Sequence, residues 1–133
     1  MIQERALLVR SDLDIVSARV EGRDMARALG FGTIDQARIA TAISELARNI
    51  VLYAGEGTVT LRLIQRGGKK GIEVICEDRG PGIEDVNLVM RDGYSTSRGL
   101  GMGLPGAKRL MDEFEIESRL GQGTRVVVRK WIR

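Results

Sequence analysis

Glu45 and Asn49 stand four residues apart in a stretch whose apolar residues repeat with a helical period, so their side chains leave the same side of one helix. An Asn there offers the neutral, hard oxygen that Mg²⁺ accepts while keeping several waters. A Glu can take a proton from a hydroxyl or water attacking a phosphate. A second segment, Glu77-Asp78-Arg79-Gly80-Pro81-Gly82-Ile83, sets a carboxylate at the end of an alternating apolar run and flanks it with glycines. Such a carboxylate can accept a hydrogen bond from the exocyclic amine of adenine, which guanine does not offer at that position, and the glycines let backbone approach the base. A third segment, Gly99-Leu100-Gly101-Met102-Gly103-Leu104, is expected immediately before a helix. Its amides and those of the helix start together suit an anion such as phosphate. Taken singly, each segment has an ordinary reading: a surface pair, a Pro-Gly turn, a flexible connector. The third is neither a Walker A loop nor a dinucleotide fingerprint, because no Gly-Lys-Ser/Thr and no ribose-binding acid after a βαβ start accompany it.

These residues need elements to position them. An edge strand is expected over residues 4–9, followed by a helix capped by Ser11 or Asp12 with Ile15, Ala18, Gly22, Met25 and Leu29 on one stripe. Gly30 ends it, and Thr33 opens a second helix, where Ile39, Ile43, Leu46, Ile50 and Tyr53 give the clearest helical period in the chain. Gly55 and Gly57 stop that helix. From Thr58 the period becomes two: Val59, Leu61 and Leu63, a Gly67-Gly68 turn, then Ile72, Val74 and Cys76, with Asp78 just past the second strand. A short helix is expected over 84–91, a Gly-, Ser- and Thr-rich loop over 92–102, a helix over 104–111, and two strands over 114–119 and 124–131. The polar run Tyr94-Ser95-Thr96-Ser97-Arg98 suits a loop closing over a nucleotide. This order predicts one α/β (α+β) domain over residues 1–133, a two-layer sandwich with helices on one face of a mainly antiparallel, mixed sheet.

Composition removes several classes of chemistry. With no histidine among 133 residues, a phosphohistidine intermediate, a histidine base and a His-containing zinc site are excluded. A lone cysteine, Cys76, excludes an internal disulfide and a cysteine-cluster metal site. Lys and Arg total 21 against 18 acidic residues. That mild, mixed excess gives little support to a nucleic-acid or membrane partner. Charges interrupt the N-terminal stretch where a secretory segment would be apolar, and no run reaches transmembrane length, so a cytoplasmic location is expected. The 17 glycines, many of them between Arg79 and Gly106, are concentrated where the chemistry would be.

The three segments, in this order, resemble the nucleotide-binding fold of gyrase-type ATPases, Hsp90, histidine kinases and MutL. Glu45 and Asn49 match that superfamily's N box, Asp78, Gly80 and Gly82 its first glycine box, Gly101 and Gly103 its second, and Gly121, Gly123 and Thr124 its last. The runs LGFGTIDQARIATAISELARNI, EDRGPGIEDVNLVMRDGYSTSRGLGMGLPGAKRLMDEF and GQGT are similar to those of bacterial anti-sigma-type serine kinases, above all stressosome switch kinases. The resemblance covers nearly the whole chain and implies an ATP- and Mg²⁺-dependent protein serine/threonine kinase. Its acceptor would be a STAS-domain antagonist or scaffold protein, and it would also bind and activate a PP2C-type phosphatase; homodimerisation is left open. Glu45 would be the catalytic residue and Asn49 the metal ligand. The nucleotide would be held by Asn49, Asp78, Gly80, Gly82, Ile83, Gly99, Leu100, Gly101, Met102, Gly103, Leu104 and Thr124. The alternative is an anti-sigma-like binding module in which nucleotide acts as a switch with little or no phosphate transfer.

Overall fold

The computed structural model describes residues 3–90 and 100–133. The expected loop over 92–102 therefore lies largely outside the described residues, with Gly99 and the run 94–98 in it.

Strand β1 (Glu4–Val9) leads into helix α1 (Asp12–Leu29). The Ser11 side chain accepts the Asp14 amide at the start of α1, Asp12 and Asp14 complement its dipole, and Gly30, at φ 105°, ends it. Helix α2 (Thr33–Tyr53) buries Ile39, Ile43, Leu46 and Ile50, the stripe expected from the sequence. Strands β2 (Gly57–Arg66) and β3 (Lys69–Asp78) form a hairpin through Gly67 and Gly68, both at positive φ. Asp78 is the last residue of β3 and not the first beyond it. The helix expected over 84–91 is a single turn, α3 (Val86–Val89). Helix α4 (Leu100–Leu110) starts four residues before the position expected from the sequence. Gly101 and Gly103 are therefore inside its first turns, not in a loop ahead of it. Strands β4 (Glu113–Arg119) and β5 (Gly123–Trp131) complete the chain.

The five strands form one sheet in the order β1-β2-β3-β5-β4, and all four pairings are antiparallel. The last strand thus inserts between β3 and β4. Register puts Val59, Cys76 and Val126 in one row and Leu61, Val74 and Val128 in the next, on the same face. Helices α1, α2 and α4 cover that face with Ile15, Ala18, Ile43, Leu46, Leu104 and Ala107. Burial of this apolar layer is the main favourable term in folding.

The other face carries no helix among the described residues, and charge takes the place of apolar cover. One row crosses all five strands as Glu4, Arg62, Glu73, Arg129, Glu113. Its ion pairs measure 3.1 Å (Arg62–Glu4), 3.2 Å (Arg62–Glu73), 2.7 Å (Arg129–Glu73) and 3.2 Å (Arg129–Glu113). Trp131 donates its indole N–H to Glu113 at 2.8 Å and lies under the Arg66 guanidinium. That indole bond, with Arg66 and Arg129, holds the Glu113 carboxyl below the usual carboxylate range.

Candidate functional site

At one end of the sheet, on the helix-covered face, register aligns Ser118, Thr124, Asp78 and Gly57 across β4, β5, β3 and β2. The turn after Asp78 is fastened to this row from both sides. Asp78 Oδ1 accepts the Gly80 amide at 2.9 Å, the Ile83 amide donates to Ser118 Oγ at 2.8 Å, and the Gly121 amide donates to the Pro81 carbonyl at 2.9 Å. Gly82 sits at φ 78°, and a Cβ there would collide with the Arg119 carbonyl, so the turn can lie this close to the β4–β5 hairpin only as glycine.

Between this turn, α2 and α4 lies a cavity of about 100 Å³, lined by Leu46, Asn49, Ile50, Tyr53, Cys76, Asp78, Pro81, Gly82, Ile83, Leu104, Thr124 and Val126. Its walls are mostly apolar, with Asp78 and Thr124 together on the sheet and Asn49 on α2. A flat heteroaromatic ring with a donor on one edge suits such a lining. Cys76 contributes only apolar surface: burial, then the charges of Asp78 and Glu77, push its thiol up to about 12. A wider groove of about 650 Å³ shares Asp78 and Thr124 but lies mainly on the open face, where Leu8 is its only large apolar residue among Glu and Arg side chains. It offers no stacking surface, and the smaller cavity is the better candidate for a base.

Asn49 carries the sign of a missing ligand. Its Nδ2 is buried without a hydrogen-bond partner among the described residues; as a donor it calls for an acceptor such as a phosphate oxygen, while only its Oδ1 could meet a cation. Gly103 lies against the same carboxamide; a Cβ on it would sit 3.0 Å from Nδ2 and 3.1 Å from Oδ1. The absent side chain thus makes room for Asn49. Its carboxamide oxygen is a hard donor that fits Mg²⁺ carried in by phosphates, and no group of three or more His, Cys, Asp or Glu among the described residues could hold an ion alone.

The structure therefore brings together Asn49, Asp78, Gly82, Ile83, Leu104 and Thr124 at the cavity. Gly80 stands behind it, supporting Asp78 and packed against Ala54. Glu45 does not line it; one turn along α2, its carboxylate meets Arg48 at 3.4 Å. Leu100, Gly101 and Met102 are placed by their backbone in α4, and Gly99 lies outside the described residues. The apolar walls from Leu46, Ile50, Tyr53, Cys76 and Val126, read from the sequence only as core or stripe positions or not singled out, were not expected at the site. Neither was Ser118, which stands behind Thr124 without lining the cavity. The Ser118 hydroxyl also contacts Thr124 Oγ1 at 2.7 Å and the Gly123 carbonyl at 3.1 Å. Strand alternation could have put Ser118 on the inner face, but only the register puts it beside Thr124.

Residues 34–132 match the family described as histidine kinase-, DNA gyrase B-, and HSP90-like ATPase. The match runs from the start of α2 to the end of β5 and so includes every element that lines the cavity. Over 133 residues, the whole of both chains, the sequence is 56% identical to serine/threonine-protein kinase RsbT of Bacillus subtilis. The chain belongs to the RsbT-type serine/threonine-protein kinases of this ATPase family. An anti-sigma F factor of Caldanaerobacter subterraneus subsp. tengcongensis is 40% identical over 107 residues, 75% of this chain and 73% of that one. Two solved structures share the fold. One, containing the RsbU and RsbW domains of a Mycobacterium tuberculosis protein, has a TM-score of 0.63 at 21% identity and covers 97% of this chain. This RsbT-type chain spans only 32% of the chain in that structure. The other, the catalytic domain of histidine kinase ThkA, has a TM-score of 0.54 at 16% identity over 95% of both chains. No helix among the described residues of the RsbT-type chain is long and apolar enough to cross a membrane.

Proposed function

We propose that this RsbT-type kinase uses Mg·ATP to phosphorylate a serine or threonine of a STAS-domain antagonist or scaffold protein in a stressosome partner-switching pathway, in the cytoplasm. The observation that carries the nucleotide site is the pairing of Asp78 with Thr124 at one end of the cavity and the unsatisfied Asn49 carboxamide at another. Adenine would enter with its amine toward Asp78, a charge-assisted bond, between Ile83, Leu104 and Val126. Asn49 would hold the metal side of Mg·ATP. The amides around Gly101 and Gly103, at the start of α4, would face the phosphates. Bound with the nucleotide, Mg²⁺ supplies charge neutralisation at the phosphates.

Glu45 would stand outside the base pocket, where an incoming protein hydroxyl would arrive, and would orient it or take its proton. Positioning and electrostatics dominate phosphoryl transfer, so a rigid α2 carrying both Glu45 and Asn49 supports this division of labour. A PP2C-type phosphatase is the proposed second partner, bound and activated when the kinase is free of the STAS protein.

Single-turnover transfer from labelled ATP to a purified STAS-domain acceptor tests the reading. Label on the acceptor serine or threonine is the expected result. The similarity to anti-sigma F factors favours one other reading, a nucleotide-switched binding module. Binding of ATP and partner with no label transferred would select it.

A further inference from the structure

Ser118 makes three contacts that its hydroxyl can satisfy all at once in only one way. A hydroxyl has one proton and two acceptor positions. The Ile83 amide, 2.8 Å away, can only donate and so takes one acceptor position. The Gly123 carbonyl, 3.1 Å away, can only accept and so takes the proton. The 2.7 Å contact with Thr124 Oγ1 is then left with the second acceptor position, which makes Thr124 the donor.

The consequence falls on the cavity, which Thr124 lines beside Asp78. With its proton committed to Ser118, the Thr124 oxygen can present only lone pairs there. The adjacent carboxylate is also an acceptor. That end of the cavity is thus all acceptor, complementary to a 6-amino purine and repulsive to the carbonyl oxygen of a 6-oxo purine. We infer that Ser118 is a specificity-setting positioning residue: by fixing the direction of the Thr124 hydroxyl it makes the site discriminate amino from oxo purine nucleotides. This rests on the adenine-nucleotide reading above and adds to it a residue on β4 that does not line the base cavity.

The test is calorimetric titration of the full chain with Mg·ATP and Mg·ITP, whose bases differ only in the amino or oxo group at position 6 and the protonation that follows from it. Wild type should prefer ATP. In Ser118→Ala the freed Thr124 proton can turn to the oxo group, so the ATP-to-ITP affinity ratio should fall about tenfold, the worth of one hydrogen bond. Ser118→Thr, which keeps the hydroxyl, should retain the wild-type ratio. Thr124→Val should also lower the ratio, and adding Ser118→Ala to it should change the ratio no further, because Ser118 acts through Thr124. A merely structural Ser118 would weaken both nucleotides alike and leave the ratio unchanged, which overturns the inference. Should Ser118→Ala fail to fold, an unchanged ratio in Thr124→Val overturns it equally. Wild type that binds ATP and ITP with equal affinity, or binds neither, would remove the adenine-site reading itself, a separate failure visible before any variant is made.

Discussion

Replacing Gly103 by alanine sets two effects against each other, and the structure decides both signs. Gly103 lies inside α4, where alanine is favoured over glycine by about 1 kcal/mol. Its new Cβ would stand 3.0 and 3.1 Å from the Asn49 Nδ2 and Oδ1 atoms, so the carboxamide must retreat by a few tenths of an ångström. In the free protein that retreat breaks no Nδ2 hydrogen bond to a described residue, because Nδ2 makes none there. The packing penalty should then roughly offset the propensity gain or fall below it, and thermal stability should hold or rise, by roughly 2–5 °C at most. Nucleotide binding behaves differently. A carboxamide displaced from a charged Mg·phosphate partner forfeits about 1.5–3 kcal/mol, so affinity should drop roughly 10- to 150-fold. Calorimetric titration with Mg·ATP beside a thermal melt of Gly103→Ala measures both quantities. Wild-type affinity in a stable Gly103→Ala protein would refute the link between Gly103, Asn49 and the nucleotide.

Asp78→Asn exchanges a pure acceptor for a group that can also donate; ATP binding should weaken by about 1.5–3 kcal/mol, read by the same titration, and an unchanged affinity would count against Asp78 as the adenine contact. Glu45→Ala should bind Mg·ATP nearly as wild type, since Glu45 does not line the cavity, while single-turnover transfer to the STAS acceptor falls by roughly 10²–10⁴-fold; equal losses in binding and transfer would remove its separate role. For Cys76, burial raises the folded thiol from its ordinary 9.0 to about 12, so its stabilising contribution is complete below pH 9 and is lost as pH rises from 9 toward 12. At pH 10 wild type should have lost stability through this group, on the order of 1 kcal/mol. In urea titrations Cys76→Ala, though less stable throughout, should show a shallower alkaline decline by that amount, and parallel declines would refute it.

The parts of this protein that were legible in the sequence are those governed by local repetition. The stripe from Ile39 to Ile50 gives α2 its face, and Gly67-Gly68 between two alternating runs gives a hairpin, because each pattern needs only neighbours in the chain. The start of α4 was misplaced for a related reason. Gly101 and Gly103 read as loop on propensity, but Gly103 is helical and lies against Asn49, a contact between residues 54 positions apart. Long-range pairing hid two further features. Alternation assigns Ser118 and Thr124 to a face, yet only the register brings their hydroxyls within 2.7 Å. Trp131 is held by Glu113 and Arg66, residues of two other strands that no local pattern places beside it. For the candidate site, spacing and resemblance pointed to Asn49, Asp78 and Thr124, which the fold gathers at one cavity. They did not reveal that Glu45 would stand apart from it.

The strand order has a consequence for how this chain comes into being. β5 lies between β3 and β4, so a ribosome delivers an interior strand of the sheet after both of its neighbours. Until then β3 waits with one edge unpaired, an invitation to mispairing, and Asp78 has no Thr124 beside it. A nascent chain lacking β5 therefore lacks the Asp78–Thr124 end of the cavity proposed for adenine, however complete its helices are. Because a ligand stabilises only the state that binds it, ATP in the surrounding medium would reward only chains whose last strand has inserted. The nucleotide would then act during synthesis as a check on finished folding, before any phosphate is transferred.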